Sequence, residues 1–359
     1  MSHPHREPIP ITILTGFLGA GKTTLLNNIL HGEHGLRVAV LVNDFGAINI
    51  DSQLVVGVEE DNTIELSNGC ICCTIRGDLL RAMIDLVRRP DPPEYIIIEA
   101  SGVSDPLEIS LTFRSPDLHE MVVVDGVLTI IDAEQVLTLE RENEVLAVLQ
   151  VGAADIVIVN KIDLVSAEEL EKVREWVRSI IPQARILETS HGEIPLGLVL
   201  GVGQFSPERA LNRKTPDIHV HEAGVPSDHA HDHSLIYDTW NWQSDQPLSL
   251  RAVRRAIDRL PLGIYRAKGT LYLADDPDHQ GVMQVVGKRA SLAWGRPWGQ
   301  TPPHTQIVVI GTHGSIDADA LTALFDGCLA ANAPQSELGR LASSVLDWLR
   351  RGRETPGSD

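Results

Sequence analysis

Residues 10–24 read PITILTGFLGAGKTT, and the reading of this stretch fixes the fold class. An apolar, β-branched run, Pro10–Thr15, passes into GFLGAGKT at Gly16–Thr23 and then into a helical pattern, Thr23–Leu30, that ends before Gly32. A strand, the GxxxxGK[ST] spacing and a helix in that order make a P-loop rather than a glycine-rich turn. Gly16, Gly19 and Gly21 permit backbone angles that aim successive N–H groups inward, forming a nest for phosphate oxygens where the helix dipole is positive. Lys22 would reach the β- and γ-phosphates, and the Thr23 hydroxyl would ligate Mg²⁺.

Outward from the P-loop, short β-branched runs alternate with helical patterns to about Ser190, the signature of a parallel sheet covered by helices. The runs predict strands at Pro10–Thr15, Val38–Val42, Tyr95–Glu99, Val127–Asp132, Asp155–Asn160 and Arg185–Glu188. Helical spacing of apolar residues predicts further helices at Asp78–Val87 and Ala167–Ile180. Gly201–Asp232 is rich in Gly, Pro and His and reads as a linker or long loop. Beyond it, Leu235–Trp242, a helix over Leu248–Leu260, Gly269–Leu273, Gly281–Ala293, Gln306–Gly311 and a helix over Asp317–Leu329 fit a smaller α+β domain with an antiparallel sheet. An amphipathic stretch follows at Glu337–Leu349. The expected organisation is a P-loop α/β domain over residues 1–200, a His-rich linker over 201–234, the α+β domain over 235–349 and a frayed tail over 350–359.

Two more carboxylates and a base-reading string accompany the phosphate loop. EYIIIEASG ends a strand in Glu99, placed to hold the Mg²⁺ shell beside Thr23. Asp44 in VNDFG follows another strand and is a candidate for the same shell or for a response to the γ-phosphate. In IVIVNKID a strand delivers Asn160, Lys161 and Asp163. The Asp163 carboxylate would accept hydrogen bonds from guanine N1–H and its exocyclic amine, whereas adenine offers an acceptor at N1 and leaves the buried carboxylate unpaired, so GTP is favoured over ATP. Lys161 would cover the ring plane and Asn160 would tie the loops together. Thr189-Ser190 closes the next strand at the same level.

The cysteines point to a second chemistry. Of four, Cys70, Cys72 and Cys73 fall in TIELSNGCICCTIRGD, while Cys328 stands alone on an apolar helical face and reads as core. Three thiolates on a tight turn suit one soft ion such as Zn²⁺ and leave a fourth position open, as fits a site that hands metal on. Buried apolar cysteines or a redox pair are the other readings. His219, His221, His229, His231 and His233 alternate within HVHEAGVPSDHAHDH and are candidates for transient metal collection or simply a solvated polar linker.

With 30 Lys and Arg against 49 Asp and Glu, the formal net charge is −19, which argues against a nucleic-acid or anionic-membrane partner. At 43% hydrophobic and 22% charged residues the chain is globular rather than disordered. The longest apolar runs are strand-sized, far short of the ~20 residues a bilayer requires. No cleavable signal pattern precedes Ile11, so the expected address is the cytoplasm.

The set TGFLGAGKTTLLN, VNDFG, NGCICC, IIIEASG and VNKID, in this order, resembles the CobW-type metal-associated P-loop GTPases, relatives of the hydrogenase and urease maturation GTPases. YRAKGTLYL and WGRPWG are similar to that family's C-terminal domain, so the resemblance covers nearly the whole chain. It implies a slow GTPase and metallochaperone whose thiolate site binds Zn²⁺ or Co²⁺ and delivers it to a client metalloprotein or a cobalamin-synthesis enzyme under nucleotide control; a homodimer is compatible with it. By the same resemblance Gly19, Ala20, Gly21, Lys22, Thr23 and Thr24 attend the nucleotide, Asn160, Lys161 and Asp163 the guanine, Thr23 and Glu99 the magnesium, and Cys70, Cys72 and Cys73 the transported metal; Gly16 and Ser190 are added to the nucleotide set by their places in the phosphate loop and at the end of the strand after the guanine string. Some members carry glutamates around the asparagine loop where this chain has Val42 and Ala47, so no second carboxylate metal site is expected there. Glu65 is a candidate fourth ligand or a partner of the ligands. Two rivals stay open: a P-loop phosphotransferase acting on a small molecule, and a metal buffer or storage protein built on the His-rich segment.

Overall fold

The P-loop strand β1 (Ile9–Gly16) is buried along its whole length, as its unbroken apolar sequence requires of a central strand in a parallel sheet. The structure, a computed structural model, describes residues 8–32, 36–43, 63–65, 73–200 except 105, 114, 117 and 119, then 219–220 and 237–332. Around β1 stand β2 (Val38–Asn43), β3 (Thr63–Glu65), β4 (Tyr95–Ala100), β5 (Val122–Asp132), β6 (Ile156–Asn160) and β7 (Ile186–Glu188), in the order β3-β2-β4-β1-β5-β6-β7 with every pair parallel. All the expected strands form. β5 begins at Val122 rather than Val127, and β3 is an edge strand that the sequence, too short and polar there, did not suggest.

Alternation along β1 sends Ile11 and Ile13 to one face and Leu14 to the other. On the first face lies α2 (Cys73–Val87) with Leu79, Met83 and Leu86; on the second, α1 (Lys22–His31) with Leu25, Leu26 and Ile29. The remaining covering helices are α3 (Pro106–Thr112), α4 (Arg141–Ala153), α5 (Ala167–Ile180) and the single turn α6 (Leu196–Val199). α5 starts at a reciprocal cap in which Glu169 N–H donates to Ser166 Oγ and Ser166 N–H to the Glu169 carboxylate.

The second sheet runs β12-β11-β10-β13-β9-β8, made of β8 (His219–Val220), β9 (Tyr237–Ser244), β10 (Ile264–Tyr272), β11 (His279–Val286), β12 (Arg289–Pro297) and β13 (Thr305–Thr312). It is antiparallel except for the parallel β8–β9 pair. α7 (Leu250–Asp258) and α8 (Ala318–Asp326) cover one face, where Trp240 stacks on Phe325 with ring centroids 5.6 Å apart and Cys328 is buried. Two expectations are corrected. Gly281–Ala293 is a hairpin, not one element: the chain reverses at Gly287, whose φ of +53° suits glycine. His219–Val220, expected within a linker, pairs with Asp238–Thr239. Residues 1–7, Asp44, Cys70, Cys72, the segment 201–218, His221, His229, His231, His233 and Glu337–Leu349 lie outside the described residues.

The two sheets meet through a charged core. β5 carries one extra residue against β1, the register stepping from Ile11–Val124 to Thr12–Gly126, and the residue skipped is Asp125. Its carboxylate accepts from Tyr95 Oη at 2.8 Å and from Arg266 Nη1 at 2.6 Å, with Lys268 Nζ 3.4 Å away as an ion pair without hydrogen-bond geometry. Arg266, 1% exposed, also donates to the carbonyls of Leu198 and Val199, and the Tyr95 and Thr12 hydroxyls lie 2.6 Å apart. Tyr265, at a matching irregularity in β10, donates to Ile186 O, while Val286 and Ile310 join the apolar core beneath β1. A second contact pairs Arg289 with Asp155 at 2.8 Å and brings Gly287 so close that a Cβ would sit 1.7 Å from Asp155 O.

Burial alone would raise the Asp125 carboxyl, but Arg266 and then Lys268 overrule it and hold it below the usual carboxylate range. Burial draws Lys268 down from 10.5 to about 8, against the pull of Asp125. Asp125→Ala leaves Arg266 buried without its counter-charge and should cost about 3–5 kcal/mol of stability, read from urea melts of the whole chain. Lys268 supplies a signed pH test. Between about 8 and 10.5 the unfolded chain holds a proton that the folded one has lost, so stability should rise with pH over that window. Lys268→Met should remove the rise, and parallel curves for the two proteins would contradict it.

Candidate functional site

The P-loop nest is built by backbone sign. Gly16, Gly19 and Gly21 have φ of +142°, +76° and +103°, and a Cβ on Gly16 would stand 2.1 Å from Ile130 O, so only glycine lets β1 turn there. Gly21 is the residue preceding α1, whose first-turn N–H groups carry no side-chain cap. Ala20 is buried beneath the loop and Thr24 is exposed on α1. Lys22 is buried, its Nζ donating to Phe17 O at 3.2 Å.

Thr23 and Glu99 come together from opposite sides of the loop. Glu99, next to last in β4 and 2% exposed, is in register with Leu14 on β1, and its Oε1 accepts from Thr23 Oγ1 at 2.8 Å. A hydroxyl and a carboxylate oxygen side by side are hard donors of the kind Mg²⁺ takes when it keeps its other positions for phosphate and water, so the pair fits that ion.

The base-reading string leaves β6 next to the P-loop. Asn160 is buried and does what its place in the string suggested: Nδ2 donates to Ala20 O at 2.9 Å and Oδ1 accepts from Gly192 N–H at 3.0 Å. It thereby joins the phosphate loop to the turn after β7. Lys161 occupies the left-handed region, φ +62°, and its Nζ donates to Asp132 at 2.7 Å. Asp163 is exposed rather than buried, in the short 3-10 turn Ile162–Leu164; the Ser190 hydroxyl, ahead of its own backbone contact, holds it below the usual carboxylate range.

Asp132 was not singled out in the sequence. It ends β5, accepts from Glu134 N–H at 2.9 Å as well as from Lys161, and so aims the lysine stem. The signal was present, since IIDAEQ ends a strand in a carboxylate as IIIEASG does. Of the metal candidates, Cys73 opens α2 and His219 lies in β8; Cys70, Cys72, Asp44 and the other four histidines fall outside the described residues, among which no group of three or more His, Cys, Asp or Glu side chains is placed to hold a metal. No helix among the described residues is long and apolar enough to cross a membrane.

Asn160→Ala strips partners from two buried backbone groups, Ala20 O and Gly192 N–H. It should cost about 1–3 kcal/mol for each group left unpaired, measured by denaturant titration. Loss confined to nucleotide binding, with stability unchanged, would show that the bridge does not hold the loops.

Comparison with known proteins gives the same outline. Residues 10–188 match the family model described as CobW/HypB/UreG, nucleotide-binding domain, and residues 237–329 that of the cobalamin synthesis protein cobW C-terminal domain. The chain is 34% identical over 352 residues to the zinc chaperone CobW of a Sinorhizobium species, covering 88% of this chain and 97% of that protein. It is 35% identical over 331 residues to the zinc chaperone YjiA of Escherichia coli K12, covering 89% and 99% respectively. It is 31% identical over 333 residues to the zinc-regulated GTPase metalloprotein activator 1 of Dictyostelium discoideum, covering 80% of this chain and 67% of that one.

Proposed function

The chain belongs to the CobW/HypB/UreG family, and from that premise we propose that it is a GTP-hydrolysing metallochaperone that takes up Zn²⁺ through Cys70, Cys72 and Cys73 and passes it to a client metalloprotein under control of the bound nucleotide. The observation that carries the coupling is a register. Val42 on β2 stands opposite Glu65 on β3 and opposite Glu99 on β4, so these three residues form one row across the sheet. The residue that leads into the cysteine segment and the carboxylate on the Thr23 side chain thus leave the sheet at one level, two strands or about 10 Å apart.

The division of labour follows from the side chains. Gly16, Gly19, Gly21 and the amides of Ala20 through Thr24 receive the phosphates, and Lys22 adds its charge between the β- and γ-groups. Asp163, ionised and aligned by Ser190, takes the guanine edge, and Lys161 lies under the ring. Thr23 and Glu99 would hold Mg²⁺, which supplies charge neutralisation on the phosphates. Asp44, following β2, belongs to the loop expected to respond to the γ-phosphate. Loss of that phosphate releases order from a loop it held. That loop follows β2 and the cysteine segment follows β3, the strand paired with it, so the two segments start from neighbouring strands. Three soft thiolates favour Zn²⁺ over Co²⁺, the metal order being the general one. The relatives named above as zinc chaperones support zinc as the cargo.

Reciprocity makes the reading testable, since a nucleotide that tightens zinc must be tightened by zinc to the same factor. In a competition titration against a chromophoric chelator, the protein with a non-hydrolysable GTP analogue should bind Zn²⁺ more tightly than with GDP, by about 5- to 150-fold for an ordinary coupling energy. Cys72→Ser should remove the difference. Equal zinc affinities with the two nucleotides would overturn nucleotide control.

A further inference from the structure

On the side of the P-loop away from the guanine string, the segment after Glu99 is held by a residue that neither the motifs nor the family comparison singles out. Gln150, on α4 and 1% exposed, donates from Nε2 to Gly102 O at 3.0 Å and to Ser104 O at 3.3 Å. Its own backbone carbonyl accepts from Thr129 Oγ1 at 2.9 Å, which ties this turn of α4 to β5. The held segment is a tight turn, Ser104 N–H to Ser101 O at 2.9 Å, pressed onto the phosphate loop. A Cβ on Gly102 would lie 2.6 Å from Leu18 Cδ2 and 2.8 Å from Leu18 N.

We infer that Gln150 is a positioning residue for nucleotide hydrolysis, fixing the turn 101–104 against the P-loop so that the turn meets the terminal phosphate of GTP and not the phosphates that GTP and GDP share. The inference rests on the GTPase reading given above and deepens it. Both ends of the turn are fixed independently. Glu99, two residues before it, is bonded to Thr23, and Gln150 holds the carbonyl of Gly102 within the turn and that of Ser104 at its end. The β-phosphate is held by the P-loop amides themselves. The turn leaves the carboxyl end of β4, the strand beside β1, two residues past the carboxylate bonded to Thr23, and packs on Leu18 within the phosphate loop, where a strand-tip segment adds its groups to those of the loop. A carboxamide suits the task because its NH₂ offers two donors to two carbonyls while remaining uncharged in a site where a buried cation would need its own counter-charge.

The test uses the full chain. Gln150→Leu keeps the apolar volume and removes both donors. It should weaken a non-hydrolysable GTP analogue by about tenfold while leaving GDP within about twofold, a selective loss that one hydrogen-bonded contact accounts for. The GTPase kcat should fall by about tenfold with it. Gly102→Ala drives the turn off Leu18 without touching α4 and serves as the second arm, with the same selective loss expected. A purely structural role would lower the melting temperature and shift both nucleotides alike or neither. An unchanged analogue-to-GDP ratio in Gly102→Ala, or in a folded Gln150→Leu, overturns the inference. A parent protein that binds neither nucleotide would instead overturn the GTPase reading itself.

Discussion

Removing the Asp125 carboxylate from water is unfavourable unless several donors converge on it, and those donors come from both sheets. Tyr95 reaches it from β4, Arg266 and Lys268 from β10, and Thr12 on β1 completes the chain of hydroxyls. Arg266 then spends its remaining N–H groups on Leu198 and Val199 at the end of α6. Removing Asp125 or Arg266 leaves the other buried without its counter-charge, so these two stand or fall together. The register of β1 against β4 and the seating of the second sheet are therefore fixed by one set of contacts. The Leu14–Glu99 alignment, further along the same two strands, inherits that register and with it the meeting of Thr23 and Glu99.

This anchor sits toward the roots of the strands, and the nucleotide loops leave their tips. The same division recurs along the sheet. β6 begins beside Asp155, which holds Arg289, and ends in Asn160; β7 begins where Tyr265 bonds Ile186 O and ends before Thr189 and Ser190. The second sheet thus braces the strands that carry the Asn160–Asp163 string at the end remote from it. Contacts of this kind resemble a domain core more than a hinge, since Tyr265, Val286 and Ile310 belong to the same apolar cluster as Leu14 and Leu26. Two sheets that share a close-packed core are held as one unit by it.

What the sequence made legible was local. The P-loop, Glu99 and the Asn160–Asp163 string declare themselves because a few neighbouring residues suffice to state the chemistry, and each proved to lie at a strand tip. Asp125 and Arg266 are 141 positions apart, and the bulge that turns Asp125 toward its partners leaves no mark in VVVDGVLTIID beyond a polar residue in an apolar run. α4 escaped notice for a different reason: Val145 and Leu149 are exposed while Gln150 is buried, so its apolar pattern points the wrong way. The hairpin at Gly287 was hidden because apolar residues continue on both sides of the turn, and only the close approach to Asp155 explains why glycine is required there.

A chain carrying −19 overall repels an anionic nucleotide at long range, so the attraction has to be created within the site. Screening limits the unfavourable field to about 8 Å at physiological ionic strength, whereas the loop amides and Lys22 act at contact distance and from a partly dehydrated position. The local term is carried by Lys22, which is buried, and by loop amides whose direction is set by three glycines at positive φ. For a divalent cation the signs reverse: the general acidity of the surface favours approach. Opposite long-range terms for nucleotide and metal mean that, on the reading proposed above, each would be bound by short-range geometry of its own, phosphate by amides and soft metal by thiolates. Under that proposal the coupling between them would travel through shared backbone, and the register supplies such a path in the row Glu65, Val42, Glu99 across β3, β2 and β4.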